Sequence, residues 1–142
     1  MGYKAEERWA KMKKTKGEIM LNYPWLHDYL LNKKGVVKDY KEEWNWDRYL
    51  IGDKMYAAVC KDKNGKDYLV TLKLRPEEGE LLREQYEDIT PGYYMNKVHW
   101  NSLNLKGNVP EVVLKEMADQ SYNLILNGLP KKKQKEILEV AK

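Results

Sequence analysis

Two turn signals inside one run of alternating side chains leave this chain few folds. Gly52-Asp53 separates Arg48-Tyr49-Leu50-Ile51 from Lys54-Met55-Tyr56-Ala57-Ala58-Val59-Cys60, and Asn64-Gly65 leads on to the segment Asp67 to Leu74. Gly, Asn and Asp supply the positive φ angles that tight hairpins need. In the third segment Tyr68, Val70, Leu72 and Leu74 share one face, and Leu69, Thr71 and Lys73 the other, because successive strand side chains point to opposite sides. The pattern predicts an antiparallel meander with one covered face.

Helical patterns flank the meander. Trp9, Met12, Ile19 and Met20 recur near helical spacing among lysines and arginines, so residues 1–20 read as a basic amphipathic helix that Tyr23-Pro24 ends. A second helix is predicted from about Trp25 to Asn32, with Leu26, Tyr29 and Leu30 on one side and Gly35 as its cap. Pro76 opens a third helix at its preferred first position, with Glu77, Glu78 and Glu80 at the positive end of the dipole and Leu81, Leu82 and Tyr86 inward. Pro91-Gly92 reads as a turn, followed by one or two strands ending near Leu105. Asn108 and Glu111 resemble a capping box for a helix carrying Leu114, Met117, Ala118, Tyr122 and Ile125 and ending at Gly128. Pro130 then starts a last helix with Ile137, Leu138 and Ala141 inside. Strands grouped together with helices at both ends predict an α+β fold: an antiparallel sheet of about five strands with helices mainly on one face.

At 142 residues, 42% hydrophobic and 34% charged, the chain fits one globular domain, here 23–142, behind a basic helical extension, 1–22. No apolar run is long enough for a membrane span, the N-terminus has no apolar signal core, and Glu6 breaks the myristoylation pattern after Met1-Gly2. The cytoplasm is the expected compartment. Charge is uneven. Residues 1–20 hold six Lys/Arg against three Glu, residues 131–142 hold five Lys against two Glu, and the stretch between them holds 15 basic and 17 acidic side chains. Any concentrated basic footprint must therefore draw on the ends or on local clustering.

Catalytic patterns are missing from the sequence. It has no Gly-rich phosphate loop, no G-x-S-x-G elbow and no His pair at metal spacing, since His27 and His99 lie far apart. Neither a metal nor a cofactor is expected. Cys60, the single cysteine, sits on an internal strand and reads as a small buried hydrophobe. Glu42-Glu43 and Glu77-Glu78 read as solvated faces, because adjacent side chains diverge. The chain has 11 Tyr, 5 Trp and no Phe. Both residue types join an apolar body to a hydrogen-bonding tip, so Tyr49, Tyr56 and Trp100 are expected at the boundary between sheet and helices. Trp44 and Trp46 fit either that boundary or an exposed stacking platform. Trp100 is expected to share a buried strand face with Val98, which would put the cost of Trp100→Ala at about 3–5 kcal/mol.

The segments EEWNWDRYLIGDKMYAAVC, LVTLKLRPEEGELLREQYEDITPGYYMNKVHWNSLNLKG and VPEVVLKEMADQSYNLILNGLPKKKQ together resemble the MmcQ/YjbR family, most specifically at Asn96-Lys97-x-His99-Trp100. The resemblance runs from about Tyr23 to the C-terminus. It implies a CyaY-like fold, also likened to secretion chaperones, and a DNA-binding role in which two β-hairpins act as wings. Arg75 stands where the family often has an acidic helix cap, which favours an anion contact there.

On that basis the expected function is non-enzymatic DNA binding. Hairpin lysines Lys54, Lys61, Lys63 and Lys66, together with Arg48, Lys73, Arg75 and Lys97, would meet phosphates, and Asn96, His99 and Asn101 would add hydrogen bonds. Lys131, Lys132 and Lys133 open the last helix, where the dipole disfavours cations, so they join the candidate set with Lys11, Lys13, Lys14 and Lys16. The competing expectation is a protein-interaction or chaperone-like module that grips a partner helix or strand on an aromatic sheet face.

Overall fold

The structure, a computed structural model, describes residues 22–92 and 96–139. The predicted helix over 1–20, its lysines, Tyr93-Tyr94-Met95 and Ala141 lie outside the described residues. The described elements are α1 (Leu26–Leu31), β1 (Val37–Lys41), β2 (Trp46–Ile51), β3 (Lys54–Lys61), β4 (Asp67–Lys73), α2 (Pro76–Gln85), β5 (Ile89–Pro91), β6 (Trp100–Asn104), α3 (Glu111–Asn127) and α4 (Lys131–Glu139). The strands form one antiparallel sheet in the order β1-β2-β3-β4-β6-β5.

The fold is α+β, with six strands where about five were expected. β1 was missed because both its faces are open enough for Lys38, Asp39, Tyr40 and Lys41, so it carries no hydrophobic period. β5 uses Pro91, read as part of a turn, at a sheet edge where a missing N–H costs no ladder bond.

The two turn signals form as expected. Gly52 and Asp53 have φ of 53° and 67°. At the other hairpin the Gly65 N–H donates to Asp62 O and Gly65 adopts φ 79°, a turn closed by a left-handed glycine. Asp62 Oδ1 accepts from the N–H groups of Asn64 and Lys66 and stiffens that loop.

The main core lies between the sheet and the four helices. Leu26 and Leu30 of α1, Leu114, Met117 and Ala118 of α3 and Ile137 of α4 pack on Tyr49, Ile51, Tyr56, Val59, Val70 and Leu72. A bulge between β2 and β3 leaves Tyr56 unmatched and turns both Tyr56 and Ala57 inward.

Three helix details differ from expectation. α3 begins after Pro110 without a side-chain cap, and the Asn108 N–H instead donates to Asp88 Oδ2 at 3.4 Å. Leu81 is 61% exposed, because α2 meets the sheet through buried Gly79, whose Cβ position would collide with Asn101. Leu138 is exposed, while Ile137 alone of that pair enters the core.

Candidate nucleic-acid interface

Antiparallel neighbours run in opposite directions, so the tips of two consecutive hairpins lie at opposite ends of the sheet. β3 has eight residues and spans about 25 Å. Lys54, after the first tip, is therefore separated by that length from Lys63 and Lys66 at the second. Lys61 is not free either: its Nζ lies 2.6 Å from Asp67 Oδ1 and 3.0 Å from Asp47 Oδ2. The hairpin lysines do not make a single pair of wings.

The structure instead gathers cations at the Gly52–Asp53 end. A Cβ at Gly52 would lie 2.9 Å from Leu129 Cδ1 and 3.4 Å from Lys133 Cγ. The start of α4 thus rests against the β2–β3 turn, beside exposed Lys54, and brings Lys131, Lys132 and Lys133 with it. The loop after α1 packs on the other end of α4, where Lys34 Nζ donates to Leu138 O at 2.9 Å and Gly35 lies against Ile137. Two segments far apart in sequence, the β2–β3 turn and the start of α4, supply this basic end. Asp53 and Glu136 are the nearby acids, and Lys133 Nζ lies 3.9 Å from Glu136 Oε1.

The ends of β4 and β6 adjoin it. Lys73 pairs with Trp100 across the two strands, and Lys73 is half-buried, its N–H donating to Ser121 Oγ. Arg75 is exposed and precedes α2 with no side-chain cap, as its identity implied; its N–H donates to Gln120 Oε1. Asn96 holds the turn, since its Oδ1 accepts from the Val98 N–H and its backbone carbonyl from the N–H groups of His99 and Trp100. Lys97 is exposed on that turn. The His99 carbonyl accepts from the Leu74 N–H, and its half-buried imidazole makes no hydrogen bond among the described residues. Glu77 and Glu78 begin α2 at this same end.

Two candidates leave the set. Asn101 is fully buried, accepts from Arg83 Nη1 and donates to the His99 carbonyl, so it ties α2 to β6. Arg48 is spent on Asp39 across the β1–β2 pair, with Nε to Oδ1 at 2.8 Å and Nη2 to Oδ2 at 2.6 Å. Those hydrogen bonds hold the Asp39 carboxyl below its usual range.

Trp100 is half-buried rather than core, because Val98 belongs to an exposed turn and gives it no strand partner on that face. Trp100→Ala is accordingly expected to cost about 1–3 kcal/mol, well under a full aromatic truncation. A denaturation midpoint shift worth 4 kcal/mol or more would show it to be core after all. Trp44 and Trp46 split: Trp44 is 52% exposed, while Trp46 is buried, their rings 4.9 Å apart.

At the opposite end of the sheet stands a polar network that residue spacing did not reveal. His27 Nδ1 meets the buried Tyr49 hydroxyl, and Nε2 lies 2.8 Å from Asp67 Oδ2. His27 thus bridges the Tyr49 hydroxyl and the Asp67 carboxylate through its two ring nitrogens. His27 and then Lys61 hold the Asp67 carboxyl down to about 2. Burial pushes the Tyr49 hydroxyl well above its usual range. His27, Asp47 and Asp67 could converge on a cation, but the Lys61 ammonium already lies between the two carboxylates. Every polar atom of the triad faces a protein partner, which suits a structural clamp. The signal was tertiary: α1 crosses the start of β4, joining residues 40 apart in sequence.

The sheet and most of α3 sit on a shared scaffold. A family model described as YjbR matches residues 31–124. The Escherichia coli (strain K12) protein YjbR is 31% identical over 115 residues, covering 81% of this chain and 96% of that protein. YbdF of Escherichia coli O157:H7 is 33% identical over 92 residues, 65% of this chain and 74% of that protein. The crystal structure of Deinococcus radiodurans protein DR2400 superposes with a TM-score of 0.73 at 28% identity, covering 83% of this chain and 88% of that one. The family model spans most of the chain and the Escherichia coli relative matches it over nearly its full length, and on those grounds the chain belongs to the YjbR family.

Proposed function

We propose that the chain is a non-catalytic domain that binds the phosphate backbone of nucleic acid through its basic end. One observation carries this reading: the start of α4 rests against the β2–β3 turn and brings Lys131, Lys132 and Lys133 beside Lys54. Local helix energetics give no reason for three lysines in the first turn of α4, where the dipole repels cations. A polyanion supplies one. Arg75 and Lys97 extend the patch along the sheet end.

The test is a titration on a generic duplex across several salt concentrations. Each phosphate neutralised contributes about −0.9 to the slope of log affinity against log salt. Changing Lys131, Lys132 and Lys133 together to Gln is expected to flatten that slope by up to about 3, without lowering the melting temperature, since all three side chains are exposed and face the positive end of the helix dipole. A wild-type protein that fails to bind at low salt would exclude this reading.

A protein partner is the second reading, favoured by the β1 side of the sheet. Val37, Tyr40 and Trp44 are exposed there beside β1, which among the described residues is an edge strand. Such a contact would resist salt, which separates the two in the same titration.

A further inference from the structure

α2 and α3 pack on the same face of the sheet and leave between them a cleft of about 250 Å³. Its floor is apolar. Leu74 and Met117 are each 1% exposed, and Leu82, Tyr86 and Val113 are half-buried. Its rim is polar, with Glu78 and Gln85 on α2 and Glu116 and Gln120 on α3. The Arg75 N–H donates to Gln120 Oε1 at 3.0 Å and ties the start of α2 to α3 at one end. Leu81, next to Leu82 and one turn from both Glu78 and Gln85, is exposed; so is Val112, next to Val113 and one turn before Glu116. Residues three and four apart share a helix face, so each wall carries apolar surface from the floor up to its lip.

The negative charge at the rim is left unmatched. α2 holds Glu77, Glu78, Glu80 and Glu84 against a single cation, Arg83, whose Nη1 donates to Asn101 on β6, away from the cleft. The one cation of α3, Lys115, lies 4.9 Å from the Trp25 ring centre, on the side toward α1. Neither Glu78 nor Glu116 has an ion-pair partner among the described residues. Arg75 stands at one end only. Acidic side chains alone would make a solvated face. Set around an apolar floor, they select an occupant with an apolar body and positive charge beside it.

Size chooses the class of occupant. The cleft is smaller than the roughly 300–1,000 Å³ of sites that enclose a small ligand, and Glu78, Gln85 and Glu116 leave it open to solvent. It has room for one or two side chains of a larger molecule. We propose that the α2–α3 cleft docks a short basic segment of a partner protein. The segment inserts a large apolar side chain, Leu, Met or Trp, over Leu82 and Met117 and sets Lys or Arg beside Glu78 and Glu116. The site is separate from the basic end, whose charge it opposes, and from β1: α2 meets β6 and β5, at the other edge of the sheet.

The experiment selects short random peptides displayed on phage against the full-length chain and measures the enriched peptides by fluorescence anisotropy. They are expected to pair a large apolar residue with Lys or Arg. Added to isotope-labelled protein, they are expected to shift the signals of Leu82, Tyr86, Val113 and Met117. Two variants locate the site. Glu78→Gln with Glu116→Gln keeps side-chain size at two exposed positions and is expected to weaken binding about fivefold or more. Val113→Trp fills the cleft from a half-buried position and is expected to abolish binding, with the circular dichroism spectrum unchanged. The charge-neutral variant keeps the test valid should Val113→Trp fail to fold. Failure to enrich any peptide, enriched peptides without basic residues, shifts confined to β1 or to the start of α4, or unchanged affinity in the Glu78→Gln, Glu116→Gln protein each overturns the proposal.

Discussion

Tyr56→Ala is expected to destabilise the protein by about 3–5 kcal/mol, as truncation of a large buried aromatic does. Tyr56 is fully buried at the β2–β3 bulge. Its ring meets Tyr122 edge-on at 5.5 Å, and its hydroxyl donates to Leu30 O at 2.6 Å. Leu30 lies in the last turn of α1, where carbonyls have no partner within the helix. The phenol therefore fills the core and satisfies a helix end at once. Tyr56→Phe keeps the ring and strands that carbonyl, so its expected cost is about 1–2 kcal/mol. Denaturant midpoints at unchanged m-value would measure both. A Tyr56→Ala loss below about 1 kcal/mol would contradict the packing described.

The same device recurs at three more of the chain's 11 tyrosines. Tyr23 O–H donates to Val109 O at 2.7 Å, Tyr122 O–H to Lys34 O at 2.7 Å and Tyr29 O–H to Asp119 Oδ1 at 2.8 Å. Each ring sits at the helix–sheet boundary, and each hydroxyl ties down a loop or a helix. Burial pushes the Tyr23 hydroxyl up to about 12, with Asp88 adding to the rise. Phenylalanine would supply the same apolar area and leave the acceptors unpaired.

Asp67→Asn is expected to cost about 2 kcal/mol at neutral pH and to change how stability depends on acid. The folded carboxyl titrates at about 2 instead of 3.8, a difference worth about 2 kcal/mol. A carboxylate with a depressed folded value stabilises fully above its unfolded value, and that contribution fades as pH falls from about 4 to about 2. The wild type should therefore lose stability across that window more steeply than Asp67→Asn. Parallel curves for the two proteins between pH 4 and pH 2 would show that Asp67 is not held by His27 and Lys61. The variant keeps a single acceptor oxygen, which can serve Lys61 Nζ or His27 Nε2 but not both, and it removes the charge that faces Lys61.

Local chemistry in the sequence determined the meander, its two turns, the Pro76 helix start, the burial of Cys60 and the α+β order. Each of these depends on residues within a few positions of one another. Turn dihedrals, strand alternation and helix caps are short-range properties, and they survive whatever the chain later packs against. β1 escaped because an edge strand with two open faces carries no apolar period. Burial of Cys60 pushes its thiol up to about 11, as an apolar strand environment should. The family resemblance at Asn96 to Trp100 added the scaffold.

Only the tertiary structure decided which charges are available. Arg48 and Lys61 look like phosphate ligands in the sequence, yet both are matched by carboxylates on neighbouring strands. Asn101 looks like a surface amide and is a buried tie between α2 and β6. Lys54 and Lys131 to Lys133, 77 or more positions apart, meet because α4 closes on the Gly52 turn. His27 finds Asp67 and Tyr49 only once α1 lies across the sheet. The physical reason is common to all of these. A side chain's charge is free or neutralised according to what stands within a few ångströms of it, and in a sheet those neighbours come from other strands and from the helices laid across them, at distances along the chain that no local pattern encodes.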